Sequence, residues 1–238
     1  MEQIIAAGLE ELGLMGRVPE DAPAQLAQYG RMLLEKNQVM NLTAIRDPEG
    51  VARLHMLDCA ALLKFCDFQG KTLIDVGTGA GFPGMVLKIL APSLRITFLD
   101  SLAKRLDWLT EVYEDLDGVD SITTFHGRAE EFGLNKSFRD SFDFATARAV
   151  ADLRVLSELC LPFVKVGGRF LAMKSVDSGQ ELENAAHAVK LLGGRTAQVE
   201  DYPIPGTEIT HRLIMVEKLA PTLKGYPRRW AKIQKEPL

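Results

Sequence analysis

The chain has 238 residues, 47% of them hydrophobic and 25% charged, with a formal net charge of −4. That composition supplies a sizeable core but does not have the basic balance of an overall nucleic-acid-binding protein. It holds no run of about 18 apolar residues, so no membrane-spanning helix is expected. Cys59, Cys66 and Cys160 form no Cys-x-x-Cys pair, and His55, His126, His187 and His211 show no metal-ligand spacing with them. Reduced core thiols and no metal are therefore expected. Met1-Glu-Gln-Ile-Ile lacks the basic and apolar regions of a signal peptide, which gives a cytoplasmic expectation.

Residues 1–70 read as a helical N-terminal extension packed on the rest. Ile4 to Met15 is a short apolar-periodic segment, Pro19 and Pro23 punctuate, and Ala24 to Met40 is a longer amphipathic helix. Asp47-Pro48 fits an N-cap followed by proline at the first helical position, opening a helix that runs to about Phe65. From Thr72 strands alternate with helices. The expected strands are Thr72–Val76, Arg95–Leu99, Ser121–Phe125, Phe142–Ala147, Arg169–Met173, Thr196–Tyr202 and Arg212–Glu217. The expected helices are Gly84–Leu90, Ala103–Asp115, Asp152–Phe163 and Gln180–Leu192. Such alternation predicts a mostly parallel, doubly wound sheet. The link between the last two strands is short and carries Pro203 and Pro205, so an antiparallel hairpin at the sheet edge is expected. A seven-stranded doubly wound α/β sheet ending in a hairpin, over residues 71–218, matches the class I methyltransferase fold by analogy. Residues 219–238 form a basic C-terminal tail with Lys224, Arg228, Arg229, Lys232 and Lys235 beside Tyr226 and Trp230. Two readings of it stand open: contact with RNA phosphates and bases, or a solvated terminus.

The most informative stretch is Thr72-Leu-Ile-Asp-Val-Gly-Thr-Gly-Ala-Gly-Phe-Pro-Gly84, a strand running into a glycine turn. A dinucleotide fingerprint needs a third glycine where Phe82 stands, and a phenylalanine there leaves no room for a pyrophosphate. The pattern that fits is acid-x-Gly-x-Gly-x-Gly, from Asp75 through Gly77, Gly79 and Gly81. It looks like the S-adenosylmethionine (SAM) site of class I methyltransferases. SAM has no phosphates to cradle, so the turn's backbone approaches its methionine and ribose parts. Asp75 supplies negative charge, directly or through water, and Phe82 is a candidate apolar wall. Asp100, ending the next strand, is placed to accept the ribose hydroxyls or to cap the helix after it. After the third strand, the Ala129 backbone and the Glu130 side chain are placed to read adenine, or they begin an exposed helix.

The loop after the fourth strand narrows the acceptor. Phe144-Ala-Thr-Ala-Arg-Ala-Val150 contains no Asn/Asp-Pro-Pro-Tyr/Phe loop of the kind used for exocyclic amines. Cys160-Leu-Pro, the only cysteine–proline arrangement suggestive of pyrimidine-carbon chemistry, falls inside an expected helix. An acceptor that is already nucleophilic remains, and guanine N7, with its in-plane lone pair, needs no general base. Arg148 could hold the guanine O6 edge or a phosphate, or it could form a structural ion pair near the cofactor.

The chain resembles the bacterial glucose-inhibited division protein B family, SAM-dependent guanine-N7 methyltransferases of small-subunit (16S) ribosomal RNA. The resemblance rests on Asn41-Leu-Thr-Ala-Ile-Arg-Asp47, His55-Met-Leu-Asp58, Ile74 to Gly84, Leu99-Asp-Ser-Leu-Ala-Lys-Arg105, Gly127-Arg-Ala-Glu-Glu131, Ala147-Arg-Ala149 and Tyr226-Pro-Arg228. It implies cofactor contacts at Gly77, Phe82, Ala129, Glu130 and Arg148. It also implies basic positions at Arg128, Arg148 and Lys174 along the cofactor and RNA side. Arg228 and Arg229 of the tail join Arg128 and Lys174 as RNA-binding candidates. Cys59 stands where the family's second motif usually has serine. Asn41 and His55 are expected to fix the extension against the cofactor domain. The partner implied is 16S ribosomal RNA or the small subunit, and the chain is expected to act as a monomer.

Overall fold

The computed structural model describes residues 1–116, 122–148 and 151–238. Seven strands form one sheet: β1 Thr72–Val76, β2 Arg95–Asp100, β3 Thr123–His126, β4 Phe142–Arg148, β5 Val164–Ser175, β6 Gly194–Pro203 and β7 Thr210–Lys218. Their order is β3-β2-β1-β4-β5-β7-β6. The first five positions pair in parallel, and β7 runs antiparallel between β5 and β6. This is the doubly wound sheet with an edge hairpin that the alternation predicts. Ser121, the expected start of the third strand, lies outside the described residues, as does Ala149. Strand β1 is buried from Leu73 to Val76, apolar but for Asp75, as a strand covered on both faces is. Register brings Val76 beside Leu99, Asp100 beside His126 and Arg148 beside Met173. The carboxyl ends of β1 to β5 thus form one edge, where open α/β sheets bind ligands.

The helices α5 Gly84–Leu90 and α6 Ala103–Asp115 begin and end where their periodicity places them. Further along lie α7 Ala129–Phe132, α8 Leu153–Cys160 with a 3₁₀ turn Leu161–Phe163, α9 Gly179–Leu191 and α10 Trp230–Lys235. The extension supplies α1 Glu2–Glu11, α2 Ala22–Met40 and a broken helical run over Pro48–Lys64. Pro23 sits in the first turn of α2 rather than before it, a position that tolerates proline. Asp47 caps the broken run by accepting from the Gly50 N–H at 2.7 Å. The expected single helix to Phe65 is instead α3 Pro48–Val51, a π-helical turn Ala52–Leu57, α4 Asp58–Ala60 and a 3₁₀ turn Ala61–Lys64. The extension shares a continuous core with one face of the sheet: Leu26, Met56 and Leu57 pack in the same cluster as Leu87, Leu109 and Phe98. α8, α9 and Ile233 of α10 cover the other face.

Residues 219–238 are not a solvated tail. The Arg139 guanidinium donates to the carbonyls of Gly133, Tyr226, Thr222 and Leu223 at 2.6–3.0 Å. Arg228, expected at an RNA surface, instead grips Glu158 through Nε and Nη2 at 2.6–3.1 Å, and its backbone N–H donates to the same carboxylate. Glu158 is fully buried, and a charge there needs a partner. The anchor of the basic tail lies 70 residues upstream and has no local sequence signal. Arg229 is exposed.

Candidate functional site

The glycine turn is built on Asp75. Its Oδ2 accepts from Thr78 Oγ1 at 2.8 Å and from the Gly84 N–H at 3.1 Å, so it ties the turn to the start of α5. Asp75 is fully buried. Burial pushes its carboxyl up to about 7 despite those two hydrogen bonds. It therefore holds the turn from beneath and does not face a ligand directly; its Oδ1 is buried without a partner among the described residues. Gly77 and Gly79 adopt φ of 68° and 58°, which favours glycine. The Gly77 N–H bonds the Leu99 carbonyl at 2.8 Å, and the Gly79 N–H donates to Asp100 Oδ2 at 2.9 Å.

Gly81 has a different task from the one its spacing suggests. Its φ is 102°, and a Cβ there would lie 2.5 Å from Leu109 Cδ2 and 2.7 Å from Tyr29 Oη. It faces the extension and α6, where Tyr29 donates its hydroxyl hydrogen to the Ala80 carbonyl. Gly81→Ala is expected to cost about 1–3 kcal/mol by overpacking, measured by urea unfolding. An unchanged midpoint would separate the turn from the extension.

Three adjoining cavities run along the carboxyl edge of the sheet. The first, about 480 Å³, is lined by Thr43, His55, Gly77, Gly79, Phe82, Asp100, Arg105 and Arg148. The second, about 250 Å³, shares Gly77, Asp100 and Ser101 with it and adds Leu99, Arg128, Ala129, Glu130 and Trp230. The third, about 310 Å³, shares His55 and Arg148 with the first and adds Asp58, Met173, Lys174 and His211. Asp100 stands between the first two. Its Oδ1 accepts from the Leu102 N–H at 2.9 Å, and its Oδ2 also meets Arg105 Nη1 at 3.2 Å.

Arg148 stands between the first and third. Its Nη1 donates to the Leu54 carbonyl at 3.2 Å and to Asp58 Oδ2 at 3.3 Å. Its Nη2 lies 2.9 Å from His55 Nδ1. The guanidinium sits 4.7 Å from the centroid of Phe82, and His55 stacks on the same ring at 4.5 Å. A guanidinium has only donors, so His55 Nδ1 is the acceptor and Nε2 carries the proton, donated to Thr43 Oγ1 at 2.7 Å. Burial, reinforced by Arg148, brings the His55 pKa down to about 3, which keeps the ring neutral. Asn37 holds Thr43 in turn, bonding its backbone N–H and carbonyl at 2.9 Å each. The sequence expectation that His55 fixes the extension is thus met through Arg148 and Phe82. Asn41, by contrast, ends α2 in a left-handed conformation.

Asp58 closes a network that sequence reasoning missed. Its Oδ1 accepts from Tyr202 Oη and His211 Nδ1, both at 2.9 Å. The bond from Asp58 holds the His211 pKa above its ordinary value. The π-helical turn ends at Leu57, the residue before Asp58, and such turns are frequent at functional sites. Stability from a raised histidine pKa is fully present below 6.5, the ordinary value, and is lost as pH rises through the folded value. His211→Gln is therefore expected to flatten the fall in stability as pH rises above 6.5, read from urea midpoints; an unflattened profile would remove this pair as its source. Lys174 is engaged as well: its Nζ donates to the Ala151 carbonyl at 2.8 Å and pairs with Glu181.

The model of the family described as "GidB: rRNA small subunit methyltransferase G" matches residues 22–209. The chain belongs to the GidB family. The "Ribosomal RNA small subunit methyltransferase G" of Alkaliphilus metalliredigens is 42% identical over 100% of this chain and 98% of its own. The protein of the same name from Lactobacillus johnsonii is 45% identical over 99% of both chains. Among solved structures, TrmN from Thermus thermophilus superposes with a TM-score of 0.51 at 22% identity, covering 68% of this chain and 48% of that one. Geranyl diphosphate C-methyltransferase from Streptomyces coelicolor gives 0.51 at 14% identity, covering 68% and 78%. At those identities the likeness shows the fold alone: the class I SAM-dependent methyltransferase fold, which this GidB chain shares.

Proposed function

We propose that the chain transfers a methyl group from SAM to N7 of a guanine in 16S ribosomal RNA. The family carries the reaction class, and one feature of the site supports the acceptor. The central cavity offers no free general base among the described residues. His55 is neutral with both nitrogens engaged, and Asp100 and Asp58 are each held by three donors. An acceptor that needs no deprotonation suits such a site, and guanine N7 is one.

The donor groups fit the cofactor. Asp100 is a buried carboxylate at the cavity edge, and its longest contact, to the partly exposed Arg105, is the one a ribose diol would displace. Gly77 and Gly79 leave backbone approachable by the methionine part, while Ala129 and Glu130 flank the purine. Bound there, SAM supplies an activated methyl on a sulfonium. The protein's own work is alignment: a fixed in-line geometry lowers the barrier without acid or base. Phe82, packed against the hydrogen-bonded His55–Arg148 pair, is a rigid wall for that alignment.

Arg105, Arg128, Arg148 and Lys174 line the cavities, each paired with a carboxylate, and would be the groups that meet RNA phosphates on a chain of net charge −4. Among the described residues no helix is long and apolar enough to cross a membrane, and all three thiols are free and buried. A reducing, cytoplasmic setting suits those thiols. A monomer suits cavities that one chain lines by itself.

The test is transfer of tritiated methyl from SAM to small-subunit RNA from cells lacking this activity. Digestion and mass spectrometry are expected to return 7-methylguanosine at one position. Label in protein or small molecules, with none in RNA, would overturn the reading.

A further inference from the structure

The second cavity has a wall that the sheet's own loops do not supply. Val76, Leu99, Asp100, Ala129 and Glu130 come from the ends of β1 and β2 and the turn after β3. A further side is Trp230, the first residue of α10, from far along the chain. It lies beyond the family match, which ends at residue 209.

The segment carrying Trp230 is fixed on both sides of it. Before it, Arg139 holds the backbone of Tyr226 and its neighbours, and Arg228 grips buried Glu158. Pro227 packs so close to Gly133 that a Cβ on that glycine would lie 2.9 Å from Pro227 Cγ. After it, Ile233 is fully buried. Leu159, next to Glu158 on α8, lines the same cavity, so the Arg228 anchor and the cavity share one turn of helix. The Arg128 guanidinium lies 4.8 Å from the Trp230 ring centroid, and Arg128 Nε donates to Glu130 Oε1 at 3.2 Å. Trp230, Arg128 and Glu130 therefore form one connected side of the cavity.

An indole that lines the cavity together with Leu99, Val76 and Leu159, with the Arg128 guanidinium over one face, leaves its other face as a surface on which a flat heteroaromatic ring stacks. We propose that Trp230 binds the purine ring of the nucleoside cofactor, making the C-terminal segment part of the cofactor site. This rests on the SAM reading of the cavity. Trp230 sets cofactor affinity and takes no part in the transfer step.

The test is calorimetric titration of the full chain with S-adenosylhomocysteine. Trp230→Leu, which keeps apolar bulk but removes the aromatic face, is expected to weaken binding about tenfold, whereas Trp230→Phe stays within about threefold. In methyl-transfer assays KM for the cofactor rises while kcat holds. Wild-type affinity in Trp230→Leu would overturn the proposal. A second readout needs no variant to bind: the wild-type chain has two tryptophans, hence two indole N–H resonances. The one absent from Trp230→Phe is expected to shift on titration, and an unmoved resonance would also overturn it. Wild-type protein that binds no S-adenosylhomocysteine would remove the cofactor reading with it. Binding unchanged by Trp230→Leu would remove this inference alone.

Discussion

Replacing Asp100 with alanine is expected to weaken SAM binding roughly ten- to a hundredfold, the effect of losing about 1.5–3 kcal/mol of charge-assisted hydrogen bonding. Two losses combine. The ribose loses its acceptor, and the Gly79 and Leu102 N–H groups lose the carboxylate that holds each at 2.9 Å. Asp100→Asn separates them, because an amide oxygen still accepts from Gly79 but brings no negative charge. Its affinity is expected to lie between wild type and alanine. Calorimetry with S-adenosylhomocysteine measures both variants. An alanine variant that binds like wild type would leave Asp100 a turn-holding residue and nothing more.

The parts of the fold that were legible in the sequence are those written in local pattern. β1, α5 and α6 start and stop as expected because each is a buried run or a single-period helix bounded by glycine, proline or a polar turn. The crevice was legible for the same reason: Gly77, Gly79, Phe82 and Asp100 sit at ends of elements that periodicity alone can place. The features that stayed hidden depend on partners far away in sequence. Asp75 carries the same acid-before-glycine signal whether it faces a ligand or lies beneath the turn, and only burial decides. Gly81 continues the glycine spacing, yet Tyr29 and Leu109 explain it. The π-helical turn at Ala52–Leu57 has no compositional signature. Asp58 meets Tyr202 and His211 across 144 and 153 residues. Lys174 and Arg228 read as free basic residues until Glu181 and Glu158 appear beside them.

The pairing of Arg228 with Glu158 carries the largest expected loss of stability. Arg228→Ala leaves the fully buried Glu158 carboxylate with the backbone N–H of residue 228 as its remaining partner in this contact. Breaking a buried pair by removing one member costs about 3–5 kcal/mol, so the urea midpoint is expected to fall sharply. Arg228→Met combined with Glu158→Gln is expected to recover much of the loss, because the uncompensated charge disappears along with its partner. A tail acting only on RNA would behave differently: Arg228→Ala would lower RNA affinity and its salt dependence with no change in unfolding. The two outcomes are mutually distinguishable in one set of measurements. Truncation after Leu223 obeys the same logic, removing the Glu158 anchor and Trp230 together. The cofactor-free protein is then less stable, and whatever remains folded binds SAM more weakly, a loss that a solvated tail would not produce.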